Sequence, residues 1–193
     1  GAALNQAGRA QSGMGPAAGD YDGNGFFDIF VTNFAGDTNT LYQNLGKMLF
    51  ADVTSASGLG EISLPYLGWG AGLEDFDNDG LADIFVANGH VYPQVDALNA
   101  GQRYAQRKEI YRNHGGGKFK EMGRELGGDL LTPRSARGAA FGDFDNDGDI
   151  DVLAVNMNDR PNLYRNEGGN QNHWITLQLE GSRGNRDAIG ARV

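Results

Sequence analysis

One acidic pattern occurs three times along the chain: "GDYDGNGFFDIFVTN" from Gly19, "EDFDNDGLADIFVAN" from Glu74 and "GDFDNDGDIDVLAVN" from Gly142. The first aspartates, Asp20, Asp75 and Asp143, stand 55 and 68 residues apart. The likeness runs beyond the acidic core. A glycine lies five residues before each of these aspartates (Gly15, Gly70, Gly138). Downstream come "NTLYQN", "KEIYRN" and "PNLYRN", each with a tyrosine two residues before an asparagine. A chain that repeats itself at this period folds as a series of like units, none of which buries its apolar face alone.

Within the units, the runs "IFVTN", "IFVAN" and "VLAVN" are short, rich in β-branched and aromatic residues, and bounded by Gly or Asn, as buried strands are. "TLYQN" and "MLFADV" add two strands to unit one, and "EIYRN" and "KFKEM" do so for unit two. Glycine, at 31 of 193 residues, is about twice its usual share of roughly 7% and calls for many tight turns. Each unit therefore reads as an antiparallel sheet of about four strands. Repeated sheets of this length suit the blades of a β-propeller. The expected fold is all-β, about three blades in a partial or open propeller. The units are expected over 13–67, 68–135 and 136–170, after a lead-in over 1–12. An insertion over 89–108, "GHVYPQVDALNAGQRYAQRK", explains the longer second interval and is expected as a surface loop carrying a short helix.

Numbered from its first aspartate, each loop offers oxygen side chains at positions 1, 3 and 5, glycine at 6 and aspartate at 9. In unit one these are Asp20, Asp22, Asn24, Gly25 and Asp28; in unit two, Asp75, Asp77, Asp79, Gly80 and Asp83; in unit three, Asp143, Asp145, Asp147, Gly148 and Asp151. Two unit charges about 4 Å apart repel by roughly 4 kcal/mol at an effective dielectric near 20, so such a cluster needs a cation. Alternate oxygens in a tight loop converge on one centre, and the glycine lets the backbone carbonyl at position 7 (Phe26, Leu81, Asp149) join them. Six or seven oxygens suit Ca²⁺ better than Mg²⁺, which demands a stricter octahedron. An EF-hand would need a bidentate Glu at position 12, where this chain has Val31, Val86 and Ala154. Three bound Ca²⁺ would take the formal charge from -9 to -3, so the acidity of the chain is mostly that of its loops.

The negative charge disfavours nucleic acid and anionic membranes as partners. No apolar run is long enough to span a membrane, and no membrane insertion is expected. With no cysteine there is neither a disulfide framework nor a thiol nucleophile. "GMGPAAG" lacks the Lys-Ser/Thr of a phosphate-binding loop, and no Asn-x-Ser/Thr sequon is present.

The loop residues resemble the calcium loops of FG-GAP/VCBS repeats, the blades of integrin-α-like β-propellers. "GWGAGLEDFDNDGLADIFVANGHVYPQVD" and the stretch from "FGDFDNDGDIDVLAVN" onward are similar to bacterial members of the cartilage acidic protein-like family, with "NHWITLQLEGSRGNRDAIGARV" as the start of an ASPIC/UnbV segment over 171–193. The resemblance covers roughly Gly13 to Val193. It implies that the loop residues are Ca²⁺ ligands, about three ions per chain, with Asn24 weakening the first site. A closed propeller needs about four to eight blades. Three units leave two ends open, and either further repeats or other copies of the chain are expected to cover them.

The functional expectation is a non-catalytic, calcium-stabilised module outside the cytoplasm, at the cell surface or in the periplasm. It would present loops to a protein or glycan ligand or self-associate into a surface assembly. The alternative is part of a polysaccharide-acting propeller enzyme. That would require acid-base groups outside the loops. His90, His114 and His173 show no metal or triad spacing and read as turn residues. Tyr92 and Asp96 belong to an ordinary loop, and Arg103, Arg107, Arg112 and Arg134 to charged surface. Trp69 and Trp174 read as sheet packing rather than sugar platforms.

Overall fold

The computed structural model describes residues 4–98, 101–182, 184–188 and 191. Among them, eleven strands form three antiparallel sheets in which each strand pairs with the next in sequence. Sheet one holds β1 (Gly13–Gly19), β2 (Asp28–Asn33), β3 (Thr40–Asn44) and β4 (Phe50–Asp52). Sheet two holds β5 (Gly68–Glu74), β6 (Asp83–Asn88), β7 (Glu109–Asn113) and β8 (Phe119–Glu121). Sheet three holds β9 (Ala136–Gly142), β10 (Asp151–Asn156) and β11 (Asn162–Tyr164). Helix is confined to α1 (Gly123–Leu126) and short 3-10 turns. This is the all-β, open propeller-like architecture expected of the repeats.

The first strands of the sheets pack side by side, β1 on β5 and β5 on β9. Their backbones touch. A Cβ on Gly15 would lie 1.9 Å from the Trp69 carbonyl oxygen, and one on Gly70 would lie 2.4 Å from the Ala139 nitrogen. Only glycine permits that approach, which accounts for the glycine five residues before the first two loops.

Two apolar cores fill the spaces between sheets. Phe30 and Leu41 of sheet one meet Leu73, Ile84, Val86 and Tyr111 of sheet two, with Phe119 of β8 closing the outer end. Phe85 and Ala87 of sheet two meet Ala136 and Val152 of sheet three, with Phe141 packed against them. Covered on both faces, β6 is buried at every residue, whereas β10 exposes Leu153 and Val155.

Two expectations are corrected. Sheet three has three strands among the described residues, because the chain turns through Gly169–Gln171 after β11 and "NHWITLQL" continues without strand pairing. A cavity of about 680 Å³, lined by Ile110, Leu130, Leu163 and Tyr164, opens there; between sheets one and two, a fourth strand supplies Phe119. The insertion over 89–108 is not only surface. It carries the expected short helical turn at Pro93–Ala97, yet His90, Val95, Gln106 and Lys108 are buried. Gln106 fixes it by bridging to Arg134 and accepting the Leu67 amide through Oε1 at 2.9 Å. Of the segment over 171–193, residues 183, 189, 190, 192 and 193 lie outside the described residues, as do 1–3 of the lead-in.

Candidate metal centres

Each acidic loop joins the first two strands of its sheet, and the register fixes its length. Gly19 pairs with Asp28, Glu74 with Asp83 and Gly142 with Asp151, so the loops are 20–27, 75–82 and 143–150. The same hydrogen bonds shape all three. The position-1 carboxylate accepts the amides of positions 5 and 6: Asp20 from Asn24 (3.0 Å) and Gly25 (2.8 Å), Asp75 from Asp79 and Gly80, Asp143 from Asp147 and Gly148. The position-5 side chain turns back to the amide of position 7, Asn24 to Phe26, Asp79 to Leu81 and Asp147 to Asp149. Glycine at position 6 holds a left-handed φ of 86°, 89° and 98° in Gly25, Gly80 and Gly148.

Position 9 is the anchor. Asp83 accepts the Phe76 amide at 3.3 Å and the Asn113 amide at 2.7 Å; Asp28 does the same with Tyr21 and Asn44, and Asp151 with Phe144 and Asn166. These asparagines are the ones two residues after the repeated tyrosines. The side chains of Asn113 and Asn166 reach across to the neighbouring sheet, while that of Asn44 bonds the Phe27 carbonyl of its own loop. Asn113 Nδ2 donates to the Tyr21 carbonyl of loop one, and Asn166 Nδ2 to the Phe76 carbonyl of loop two, at 2.9 and 2.7 Å.

This framework brings the carboxylates of positions 1, 3 and 9 together. Asp20, Asp22 and Asp28 place one oxygen each within 4.8 Å of one another, as do Asp75, Asp77 and Asp83, and Asp143, Asp145 and Asp151. Burial pushes the Asp83 carboxyl up to about 7 and raises Asp28 and Asp77 as well, with neighbouring aspartates adding to the rise. Asp77 Oδ1 and Asp145 Oδ1 are buried within these groups and have no hydrogen-bond partner. Three converging carboxylates with unpaired buried oxygens fit a hard divalent cation.

Residues 20–86 and 94–154 match the model of the FG-GAP-like repeat. The chain belongs to the FG-GAP-like repeat family. A stretch of 145 residues, 75% of the chain, is 28% identical to cartilage acidic protein 1 of Xenopus tropicalis, and the chain spans 20% of that protein's length. The matched FG-GAP-like segments contain all three acidic loops.

Several of the remaining residues of the FG-GAP-like chain take other roles than those expected of them. Arg112 is not free surface charge: it pairs with Asp77 at 2.5 Å and Asp79 at 3.5 Å, while Arg165 and Gln43, between Tyr and Asn in the other repeats, reach Asp145 and Asp22. Arg107 is half-buried against Tyr66 and Glu121, Arg134 pairs with Asp159, and Arg103 bonds the Asp96 carbonyl. His90 is buried and accepts the Tyr92 amide, as a turn residue does; Tyr92 itself is exposed. Among the described residues, no histidine joins a cluster of metal-ligating side chains. Trp69 donates to the Gly89 carbonyl beneath the Arg137 guanidinium. Trp174 lies outside any strand, 48% exposed, with its ring against Gly148 of loop three. Asp149, expected to offer only its carbonyl, is fully buried, and burial together with Asp147 pushes its carboxyl up to about 6. The sequence signal for Arg112 was its place in the "YRN" repeat; its partners lie in the acidic loop between β5 and β6.

Proposed function

We propose that the chain is a calcium-stabilised, non-catalytic interaction module working outside the cytoplasm, where calcium is abundant. The observation that carries this reading is the threefold recurrence of converging carboxylates at positions 1, 3 and 9, with Asp77 Oδ1 and Asp145 Oδ1 buried and unpaired. In it, Asp20, Asp22 and Asp28, Asp75, Asp77 and Asp83, and Asp143, Asp145 and Asp151 hold one Ca²⁺ per loop. Asn24, Asp79 and Asp147 and the carbonyls of Phe26, Leu81 and Asp149 complete the oxygen set. The ion supplies charge neutralisation: it turns loops of mutually repelling carboxylates into rigid corners between strands. The loops then hold a scaffold whose surface contacts a protein or glycan ligand. Nothing among the described histidines favours the polysaccharide-acting alternative.

The test is metal counting and thermal unfolding on stripped protein. Near three Ca²⁺ per chain are expected, with a rise in Tm on adding calcium that magnesium does not reproduce. At free calcium a hundredfold above Kd, each site adds about 2.7 kcal/mol. No bound metal, or a Tm indifferent to calcium, would overturn the reading.

A further inference from the structure

The third strand of each sheet brings one long polar side chain against the acidic loop of the same sheet. It stands between the repeated tyrosine and asparagine: Gln43 in β3, Arg112 in β7 and Arg165 just after β11. In every repeat it meets one oxygen of the position-3 carboxylate. Gln43 Nε2 donates to Asp22 Oδ2 at 2.5 Å, Arg112 Nη2 lies 2.5 Å from Asp77 Oδ2, and Arg165 Nη1 lies 3.5 Å from Asp145 Oδ2. The second oxygen is left to the loop interior: Asp77 Oδ1 and Asp145 Oδ1 are buried without a partner.

The identity of this side chain follows position 5 of the loop. Loop one has Asn24 and faces the neutral Gln43, whereas Asp79 of loop two and Asp147 of loop three face Arg112 and Arg165. Arg112 Nη2 reaches Asp79 Oδ2 itself, at 3.5 Å. Loop one thus carries three carboxylates and no counter-charge, and loop two carries four carboxylates and one guanidinium, so both have a formal charge of -3. Loop three is more acidic, because it also contains Asp149 and shares Arg165 with Glu167. An ion pair as exposed as that of Arg112 adds little to stability. Stability alone therefore leaves unexplained why the positive charge stands only where position 5 is acidic.

We propose that the residue between the tyrosine and the asparagine sets the cation affinity of the loop beside it, Arg112 and Arg165 by offsetting the acidic position 5 and Gln43 by leaving a less acidic loop uncompensated. This rests on the calcium reading of the loops. Arg112 steadies the empty loop by neutralising Asp77 and Asp79, and it opposes any cation drawn to the same carboxylates. Removing its charge therefore moves two quantities in opposite directions: the stripped protein loses stability, and calcium binds loop two more tightly. Loop one, expected to be weakened by Asn24, holds calcium about as well as loop two. Glutamine at position 112 is compatible with the strand, because Gln43 occupies the same place in β3.

The experiment is calcium titration against a chromophoric chelator at low and high salt, with bound metal counted and the Tm of the stripped protein measured. Arg112→Gln is expected to tighten one site about tenfold at low salt, the worth of a full charge beside a divalent ion in a solvated site. The gain shrinks at high salt, and the Tm of the stripped variant falls. Adding Asp79→Asn rebuilds the pairing of loop one and returns the affinity to that of the wild type. Gln43→Arg loosens one site, and Arg165→Gln tightens less than Arg112→Gln because Glu167 already offsets that charge. Calcium bound by the wild type with an affinity that Arg112→Gln leaves unchanged or weakens overturns this inference alone. So does a tightening that Asp79→Asn does not reverse. A wild-type protein that binds no metal overturns the calcium reading, and this inference falls with it.

Discussion

Glu109 shows how far a charge in this chain can be removed from water. It is fully buried at the start of β7, accepts a bond from Asn88 Nδ2 at 3.0 Å and lies 3.8 Å from Arg107. Burial pushes its carboxyl up to about 7 against those favourable partners, from an ordinary 4.5. Between those values the folded protein keeps a proton that the unfolded chain has released, so stability falls as pH rises through the window. With calcium saturating, the fold is expected to be less stable at pH 7.5 than at pH 5 by on the order of a few kcal/mol, seen as a lower Tm. Glu109→Gln should flatten that slope and raise Tm at pH 7.5; a slope unchanged by the substitution would assign it elsewhere. At this scale the sequence was half legible. The aspartates at positions 1, 3 and 9 could be named because their spacing is local. Nothing local in the sequence marks Glu109 or the neighbouring Lys108, also fully buried, since their burial comes from strands and an insertion distant in sequence.

The first strand of each sheet is the element on which the packing turns. Because β5 lies backbone to backbone on β9, Gly70→Val drives side-chain atoms into the Ala139 nitrogen and the Gly138 backbone. The cost is expected at or beyond the upper end of the roughly 1–3 kcal/mol of overpacked cores, measured by urea unfolding. Gly138→Val, at the equivalent place in β9, should stay within about 0.5 kcal/mol in dilute solution. Equal costs at the two positions would mean that the strands do not pack as described. The inner strands were legible, because apolar runs bounded by Gly and Asn carry their own signal; the glycine-rich first strands β1, β5 and β9 carry none and were not named from the sequence. The missing fourth strand of sheet three was not legible either. "WITLQL" alternates as a strand should, but pairing needs a partner edge, and the turn at Gly169–Gln171 carries the chain away from one.

In the whole molecule, the loops are not independent. Asn113 ties the position-9 carboxylate of loop two to the backbone of loop one, and Asn166 ties loop three to loop two. Ordering one loop therefore pre-forms part of the next, and metal titration should be steeper than for three separate sites. Asn113→Ala is expected to flatten the titration and to lower stability, read as a fall in Tm, through the loss of three side-chain bonds, each worth about 1 kcal/mol. A titration as steep as that of the wild type would uncouple the loops. The repeated tyrosine-x-asparagine pattern was visible in the sequence, but not its reach from sheet to sheet, which exists only once the sheets are side by side.

Trp174 gives the third loop an optical readout. Its indole, half in water, rests on Gly148 at the turn of that loop, whereas Trp69, the other tryptophan, is held beneath Arg137 on β5. Filling loop three should shift the emission of Trp174 and leave that of Trp69 nearly constant, so one intrinsic fluorophore registers one site among three. Trp174→Phe should abolish the calcium-dependent emission change while the bound-metal count stays the same.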